Sequence, residues 1–216
     1  YLDLLTERVG SDDPAAMRYL SLVERNVLVL TDRINELLAA ASTDTEVSPR
    51  PVTLSDLIAS AVRAVTPQAE RRGSSIQQIG ATDERVVLDP VRIRQSLEEL
   101  LVNALKFSPP SSAVVIGQRV DESGVHVVVS DNGPGLTSIE RTRVFDPFYR
   151  TPYARENAIQ GFGIGLSVVR NAVVAHGGRV RVGASASGGT AMAIVLPGAA
   201  HDDRALDHPV SSAGGT

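Results

Sequence analysis

The stretch Leu97-Glu-Glu-Leu-Leu-Val-Asn-Ala-Leu-Lys-Phe107 decides how this sequence folds. Its apolar residues recur at intervals of three and four positions, which predicts a helix with one buried side. At about 100° per residue, Glu99, Asn103 and Lys106 fall within roughly 60° of arc on that helix. The opposite side carries Ile93, Leu97, Leu100, Leu101, Ala104 and Leu105. We therefore expect the apolar side to pack on a sheet and the polar side to present a carboxylate, an amide and an ammonium as one cluster.

Two explanations fit this polar cluster. For an arbitrary helix, the commoner one is a solvated face with an ion pair between Glu99 and Lys106. Asn103 weakens that explanation, because asparagine is a poor helix former and its carbonyl oxygen suits Mg²⁺. Lys106 is the only lysine in the chain and is a point charge of the kind that binds phosphate. The pattern therefore favours a site for a metal-bound phosphate.

Composition limits the classes of function that need to be considered. A chain of 216 residues with 43% hydrophobic residues can bury a sizeable core. The net charge of −4 provides no basic surface, which argues against a nucleic-acid partner. The absence of cysteine excludes disulfides and thiolate metal sites and is compatible with a reducing compartment. No apolar run is long enough to cross a bilayer. Because the sequence begins at Tyr1 without a signal peptide or an initiator methionine, we expect an internal start within a longer protein.

The first 41 residues predict a helical hairpin. Leu2, Leu5 and Val9 predict the end of one helix, and residues 15–41 predict a second. In the second helix, apolar residues alternate spacings of three and four at Leu20, Val23, Val27, Leu30, Ile34, Leu37 and Ala41. A repeat of 3.5 residues favours a four-helix bundle between two chains over a single amphipathic helix on its own core. The polar, proline-bearing residues 42–51 predict a linker.

Residues 52–197 predict one domain in which strands and helices are mixed, followed by a disordered tail at 198–216. We expect a helix that is capped by Ser55 or Asp56 and stopped near Arg72 by Gly73. Asp89-Pro90 opens the helix that carries Glu99. A short helix is expected at 137–143, a loop at 146–160 and a further helix at 163–176. Strands are expected at 52–54, 75–80, 84–89, 113–120, 124–130, 179–184 and 190–196.

Asp131-Asn-Gly-Pro-Gly135 follows a predicted strand. A plain turn is the commoner explanation for such a segment. Alternatively, the carboxylate of Asp131, which can only accept hydrogen bonds, receives the exocyclic amine of adenine. Gly133 and Gly135 then let the backbone approach the base because they have no Cβ. Later in the chain, Gly189-Thr190 begins the last strand, where the threonine hydroxyl could reach a purine nitrogen.

Gly161-Phe-Gly-Ile-Gly-Leu166 leads directly into a predicted helix, whose first N–H groups could bind anionic oxygens. The spacing excludes the dinucleotide fingerprint, and no P-loop or eukaryotic kinase motif is present. Phe145-Asp-Pro-Phe-Tyr-Arg150 concentrates aromatic residues in a chain that is only 4% aromatic. These aromatic residues predict either a small core under a loop or the anchor of a mobile lid at residues 150–160.

Taken in order, these segments resemble the N, G1, F, G2 and G3 boxes of sensor histidine kinases, and residues 1–41 resemble the later part of their dimerisation and phosphotransfer hairpin. The resemblance implies an α+β fold of the Bergerat α/β sandwich type, a mixed sheet covered by helices, with Mg²⁺ and ATP as cofactors. It implies that Asn103 is the metal ligand and that Lys106 contacts phosphate. The implied ATP-binding residues are Asn103, Lys106, Asp131, Gly133, Gly135, Tyr149, Arg150, Gly161, Gly163, Gly165, Leu166 and Thr190.

This sequence departs from the family pattern at two points. Many family members have asparagine at the position of Glu99, which leaves two roles open: a general base for the incoming imidazole, or a polar neighbour of the metal. The family's acceptor histidine segment is absent. His126 lies within a strand, His176 precedes Gly177-Gly178 at a helix end where it complements the helix dipole, and His201 and His208 lie in the tail.

The resemblance implies transfer of the γ-phosphoryl group of Mg-ATP to a histidine, with Glu99 and Lys106 as catalytic residues. It also implies a homodimer through the hairpin, a response regulator as partner, and a cytoplasmic location within a membrane-anchored sensor whose membrane segment lies elsewhere. Two alternatives remain. One is a dimeric pseudokinase that binds nucleotide without catalysis. The other is an enzyme of the same fold, such as a serine-directed anti-sigma kinase or an ATPase of the gyrase, MutL and Hsp90 group.

Overall fold

The computed structural model describes residues 47–198 together with Val23. The chain divides into two units, Tyr1–Asp44 and Thr45–Thr216, and the elements given below belong to the second unit. The predicted hairpin of residues 1–41, apart from Val23, and the predicted tail beyond residue 198 lie outside the described residues.

Seven strands and five helices form the described part of the second unit. The strands are β1 (Arg50–Thr53), β2 (Ser75–Ile79), β3 (Arg85–Leu88), β4 (Ala113–Asp121), β5 (Gly124–Ser130), β6 (Arg179–Ala184) and β7 (Thr190–Leu196). The helices are α1 (Leu54–Arg71), α2 (Pro90–Phe107), α3 (Ser138–Arg143), α4 (Pro152–Glu156) and α5 (Gly165–Ala175). Among these residues, no helix is long and apolar enough to cross a membrane.

Five strands form one mixed sheet in the order β2-β4-β5-β7-β6. The pair β2–β4 is parallel and the other three pairs are antiparallel. A second, two-stranded sheet pairs β1 with β3. Helix α1 lies against β2, α2 lies against β4 and β5, and α5 lies against β6 and β7. The mixed sheet covered by helices confirms the predicted α+β class.

The core lies between the sheet and the helix layer, where alternate strand residues meet the apolar side of α2. Along β5, Val125, Val127 and Val129 are buried, whereas His126 and Val128 are only half-buried. The α2 residues predicted to face the sheet are all buried: Ile93, Leu97, Leu100, Leu101, Ala104 and Leu105. The buried side of α2 was therefore correctly predicted, and its polar side must face away from the sheet.

The start of α1 differs from the prediction. Neither Ser55 nor Asp56 caps the helix, which begins one residue after Thr53 without a side-chain cap. The Ser55 hydroxyl instead donates to the carbonyl of Thr82 at 2.6 Å and accepts the N–H of Thr82 at 2.9 Å. The amide of Gln118 also donates to it at 2.8 Å. Contacts distant in sequence thus take the hydroxyl that a local pattern assigns to the helix end.

Two other boundaries also differ from the prediction. The predicted linker of residues 42–51 ends earlier, because Arg50 and Pro51 already pair with β3. The predicted loop of residues 146–160 contains α4, which Thr151 caps by accepting the N–H of Ala154 at 3.1 Å. Proline in the first turn suits this helix start, because its missing N–H would have had no partner there.

Candidate functional site

The polar side of α2 faces the glycine segment that precedes α5. A Cβ atom added at Gly165 would touch the carboxylate of Glu99 and would lie 3.8 Å from the amide nitrogen of Asn103. A Cβ added at Gly161 would lie 3.9 Å from the ammonium of Lys106. The structure therefore brings together Glu99, Asn103 and Lys106 with the start of α5, although the two segments are about sixty residues apart in sequence.

This arrangement is suited to an anion. Helix α5 begins at Gly165, and the preceding residue, Ile164, provides no side-chain cap for its first N–H groups. Such N–H groups and the helix dipole attract negatively charged oxygens. Lys106 adds a full positive charge beside the same segment, and Glu99, Asn103 and Lys106 are all half-buried.

At another part of the site, Asp131 is 8% exposed and its carboxylate is held in one orientation. Its Oδ1 atom accepts the N–H of Gly133 and the N–H of Thr190, both at 2.8 Å. Burial raises the pKa of Asp131 above its ordinary value, and the bonds from Thr190 and Gly133 offset this only in part. A buried carboxylate oriented by the backbone is well placed to accept one specific donor from a ligand.

The backbone of Asp131 is held by residues that the sequence did not identify. The hydroxyls of Ser185 and Ser187 donate to its carbonyl at 2.8 Å and 3.2 Å. These serines lie more than fifty residues later in the chain, in the turn before β7. No local motif marks them, because serine is ordinary in a turn.

The glycines of the two loops around Asp131 serve the packing of the protein itself. A Cβ added at Gly189 would lie 2.7 Å from Oδ1 of Asp131 and 2.8 Å from the nitrogen of Gly133. Gly135 adopts φ +74°, and a Cβ there would lie 3.0 Å from the carbonyl oxygen of Gly188. The two loops can therefore lie against each other only because these positions have no side chain.

The lid, residues 150–160, contributes Tyr153, Asn157, Ile159 and Gln160 to one wall of the site. The guanidinium of Arg150 donates through Nη2 to the carbonyl of Ala154 at 2.9 Å and to the carbonyl of Ile159. Arg150 therefore holds the two ends of the lid turn together. The ring of Tyr149 lies 4.5 Å from the guanidinium of Arg143, in a cation–π contact. Tyr149 and Arg150 are half-buried.

Gly163 packs against the backbone of Phe148 and Tyr149, just before the lid, and Leu166 packs on the core. Gly163 adopts φ +77°, and its carbonyl accepts the N–H of Phe148 at 2.9 Å. A Cβ at Gly163 would collide with the carbonyl oxygen of Tyr149. The side chain of Leu166 is half-buried and packs on the hydrophobic core.

A cleft of about 810 Å³ lies between the ends of α1 and α2, the loop Asn132–Pro134 and the lid, and Asn103, Asp131 and the start of α5 are not among its lining residues. Of the residues singled out in the sequence as binding residues, Lys106 and Gly133 line it. The remaining lining residues were not predicted as binding residues: Gln68, Arg72, Phe107, Ser108, Pro109, Pro110, Asn132, Pro134, Tyr153, Asn157, Ile159 and Gln160. The volume is in the range that accommodates a nucleotide-sized ligand.

The histidines of the described part take no place in the cleft. His176 accepts the N–H of Asp89 through Nε2 at 3.0 Å, so its Nδ1–H donates to the carbonyl of Ala172 at 2.7 Å. His176 thus lies at the end of α5, where the sequence predicted it, and its ring bonds a carbonyl of the last turn. His126 lies on β5 and contacts Ser123 at 2.8 Å and Asp121 at 3.2 Å.

Comparisons with known proteins identify the family of the chain. The family model of histidine kinase-, DNA gyrase B- and HSP90-like ATPases matches residues 88–200. The sensor histidine kinase CusS of Escherichia coli O157:H7 is 41% identical over 130 residues, which make up 60% of this chain and 26% of CusS. The chain thus spans about a quarter of the length of that curated relative.

Two solved structures extend the likeness to the fold. A mycobacterial sensor histidine kinase MprB structure matches with a TM-score of 0.61 at 31% identity, over 71% of this chain and 100% of that chain. Full-length ShkA in complex with AMPPNP matches with a TM-score of 0.76 at 26% identity, over 88% of this chain and 40% of that chain. The chain belongs to the family of histidine kinase-, DNA gyrase B- and HSP90-like ATPases, and within it to the sensor histidine kinases.

Proposed function

We propose that this chain binds Mg-ATP in the cleft beside α2 and transfers the γ-phosphoryl group to a histidine of a signalling partner segment. The observation that carries the proposal is the meeting of Glu99, Asn103 and Lys106 with the start of α5. A helix face with an amide and an ammonium, set against uncapped helix N–H groups, is suited to a metal-bound polyphosphate.

In this proposal, adenine lies at Asp131 and its exocyclic amine donates to the carboxylate. Thr190 and Gly133 fix the orientation of that carboxylate through Oδ1. Gly133 and Gly135 shape the loop that the base faces. The hydroxyl of Thr190 donates a hydrogen bond to a ring nitrogen of adenine. The segment Gly161–Leu166 wraps the phosphates, with Gly161, Gly163 and Gly165 providing backbone access.

The side chains near Gly165 suit a Mg²⁺ ion that is shared with substrate phosphates, and they do not form a complete metal site of their own. No cluster of three or more histidine, cysteine or acidic residues occurs in the described residues, so a site made entirely of such side chains is not present there. Mg²⁺ is commonly bound by one or two side-chain oxygens together with substrate phosphates and water. Asn103 supplies such an oxygen. When bound, Mg²⁺ would neutralise phosphate charge and orient the γ-phosphoryl group.

The transfer step requires a neutral imidazole nitrogen to bond to the γ-phosphorus while the bond from that phosphorus to the β,γ-bridging oxygen breaks. ADP then leaves with the electron pair of the broken bond, and the imidazole loses one proton. Lys106 and the α5 N–H groups stabilise the charge on the phosphate oxygens. We assign Glu99 the role of general base that takes this proton; the alternative role for Glu99 is a polar neighbour of the metal.

The lid contributes Tyr149 and Arg150. The guanidinium of Arg150 is bonded to the carbonyls of Ala154 and Ile159 in this structure. We propose that it turns toward the γ-phosphate when ATP binds, since a charge-assisted bond to phosphate is stronger than one to a neutral carbonyl. Tyr149, beside it in sequence, contacts the guanidinium of Arg143.

The proposed setting is two-component signalling. The relatives named above are sensor histidine kinases. We accordingly propose a homodimer through the N-terminal hairpin, a response regulator that receives the phosphoryl group, and a cytoplasmic location as part of a membrane-anchored sensor.

A phosphoryl-transfer assay tests the proposed function. The chain is incubated with γ-labelled Mg-ATP and a separate hairpin fragment of the parent protein that carries the acceptor histidine. We expect acid-labile, base-stable label on the hairpin, as phosphohistidine requires. The Asn103→Ala variant should lose transfer while keeping its melting temperature.

Asn171→Ala is the matched control for this assay, because Asn171 is an exposed asparagine on α5 outside the cleft. It should transfer at the wild-type rate. ATP binding without any label on the hairpin would favour the pseudokinase alternative. Label that is stable to acid would instead point to a serine-directed kinase.

A further inference from the structure

The end of α1 forms a further wall of the same cleft. Gln68 and Arg72 are one helical turn apart, and both line the cleft. The end of α2 with Lys106 lines it too, as do the loop at Asn132–Pro134 and the lid. A ligand held by Lys106 and Asp131 would therefore be bordered by α1.

The lining of the cleft carries a one-sided charge. Arg72 and Lys106 are cations, and none of the described lining residues is aspartate or glutamate. Two cations with no carboxylate between them produce a positive potential in a partly enclosed space, which favours an anionic ligand. The sequence predicted Lys106 as a phosphate contact but did not predict Arg72. With Arg72, the lining of the cleft carries two positive charges.

The guanidinium of Arg72 is only partly used within the protein. Its Nη2 donates to the carbonyl of Ser108 at 3.1 Å, and its Nε is buried with no hydrogen-bond partner. An arginine has five N–H donors, and a buried donor without a partner calls for a physical explanation. Because Nε is enclosed by the protein, the terminal nitrogens of the guanidinium are the donors that would reach a ligand in the cleft.

The position of Ser108 indicates which part of ATP lies near Arg72. Ser108 is two residues after Lys106, and its hydroxyl accepts the N–H of Asn132 at 3.1 Å. Arg72 is therefore bonded to the backbone that joins the phosphate-binding lysine to the adenine-binding loop. The part of a nucleotide that spans this interval is the ribose with its first phosphate.

We propose that Arg72 is a nucleotide-contacting residue that donates to the first phosphate of ATP, the one joined to the ribose, with Gln68 beside it on α1. This inference rests on the proposed function, because it requires ATP in the cleft. It adds α1 to the elements that contact ATP, which otherwise are α2 and the glycine segments.

Calorimetric titrations of the whole chain test the role of Arg72. Arg72→Gln should weaken Mg-ATP binding about five- to ten-fold, the effect of removing one partly exposed charge-assisted bond. Arg72→Lys should recover part of the loss because it retains the charge. Arg71→Gln is the matched control: Arg71 is exposed in the same last turn of α1 and does not line the cleft.

A second ligand separates contact from a structural effect. Adenosine lacks phosphate, so Arg72→Gln should change its millimolar affinity, followed by NMR titration, less than two-fold. Equal losses for ATP and adenosine would show that Arg72 only supports the fold, and affinities equal to those of Arg71→Gln would also overturn the inference. If the wild-type chain bound no ATP, the proposed function itself would fail.

Discussion

At the scale of single residues, Asp131 is a buried carboxyl group whose ionised form the fold disfavours. Burial raises the pKa of Asp131 above 3.8, so the fold favours the protonated form of this carboxyl. The resulting stabilisation is complete below pH 3.8 and is lost as the pH rises through the raised pKa. Once ionised, the buried carboxylate therefore lowers the free energy of unfolding of the protein.

Asp131→Asn separates these two effects. The amide oxygen can still accept the N–H groups of Gly133 and Thr190, so the loop should keep its conformation. Without a buried charge, the melting temperature at pH 7 should equal or exceed that of wild type, and the difference should vanish below pH 3.8. ATP affinity should fall about 10- to 100-fold, because the amide group presents a donor to the adenine amine.

Two measurements check this variant: thermal unfolding across pH and calorimetric titration with Mg-ATP. A variant that melts lower at pH 7 and binds ATP as well as wild type would reverse both expectations. Asp56→Asn, at an exposed carboxylate in the first turn of α1, serves as the control.

Residues on one element were predictable from the sequence, and residues joined by tertiary contacts were not. Glu99, Asn103 and Lys106 share a helix face, which the helical repeat alone predicts. By contrast, Arg72 meets Ser108 across 36 positions and Ser185 meets Asp131 across 54. Nothing local distinguishes those two side chains from ordinary helix-end and turn residues.

At the scale of elements, α2 depends on the cap at Asp89. Oδ1 of Asp89 accepts the N–H groups of Val91 and Arg92, and Oδ2 accepts the N–H of Ser48 at 3.0 Å. Burial alone would raise the pKa of Asp89. The bonds from Ser48, Arg92 and Val91 and the charge of Arg92 outweigh burial, so the pKa is lowered from 3.8. The cap thus links the helix that carries the site to the residues that precede β1.

Asp89→Ala should lower the free energy of unfolding by about 1–2 kcal/mol at pH 7, the usual cost of removing such a cap. Because the folded-state pKa is depressed, the contribution is present above pH 3.8 and is lost as the pH falls through the lower folded value. Chemical unfolding at pH 7 and at about pH 3 measures the difference. A constant difference at both pH values would show that the ionised carboxylate is not responsible.

Two glycines near α5 should respond differently to alanine. At Gly163, φ is +77° and the carbonyl oxygen of Tyr149 occupies the Cβ position, so Gly163→Ala should cost about 1–3 kcal/mol. At Gly165, the obstructing atom is the flexible end of Glu99 and alanine favours the helix. Gly165→Ala should therefore melt near the wild-type temperature but transfer phosphoryl groups more slowly, because it displaces Glu99.

Melting curves and the transfer assay together check this contrast. Equal melting temperatures for the two variants would indicate that the space at Gly163 is less restricted than the structure shows. Full transfer activity in Gly165→Ala would remove Glu99 from the chemistry and leave it as a polar neighbour.

Element boundaries followed the sequence where the cause was local. Asp89-Pro90 was correctly predicted as a helix start, because the cap and the proline act within three residues. Ser55 was wrongly predicted as a cap, since Thr82 and Gln118 bind its hydroxyl instead. The helix α4 was not predicted, because a five-residue segment is too short to show a helical repeat.

At the scale of the whole molecule, the sheet order β2-β4-β5-β7-β6 is what gathers the site. It places β5, which ends before Asp131, beside β7, which begins at Thr190. The carboxylate and the N–H group that orients it therefore meet where β5 ends and β7 begins. The positions of the strands could be predicted from the sequence, but their order in the sheet could not. That order depends on which strands pack their apolar sides together.

We propose that adenine is recognised at Asp131 while α2 and the start of α5 hold the phosphates. Calorimetric titration of the wild-type chain with Mg-ATP and with Mg-GTP tests it most directly. Guanine presents a carbonyl oxygen where adenine presents its amine, so the carboxylate should repel it. We expect ATP to bind at least ten-fold more tightly than GTP. Equal affinities, or no binding of ATP, would contradict the account.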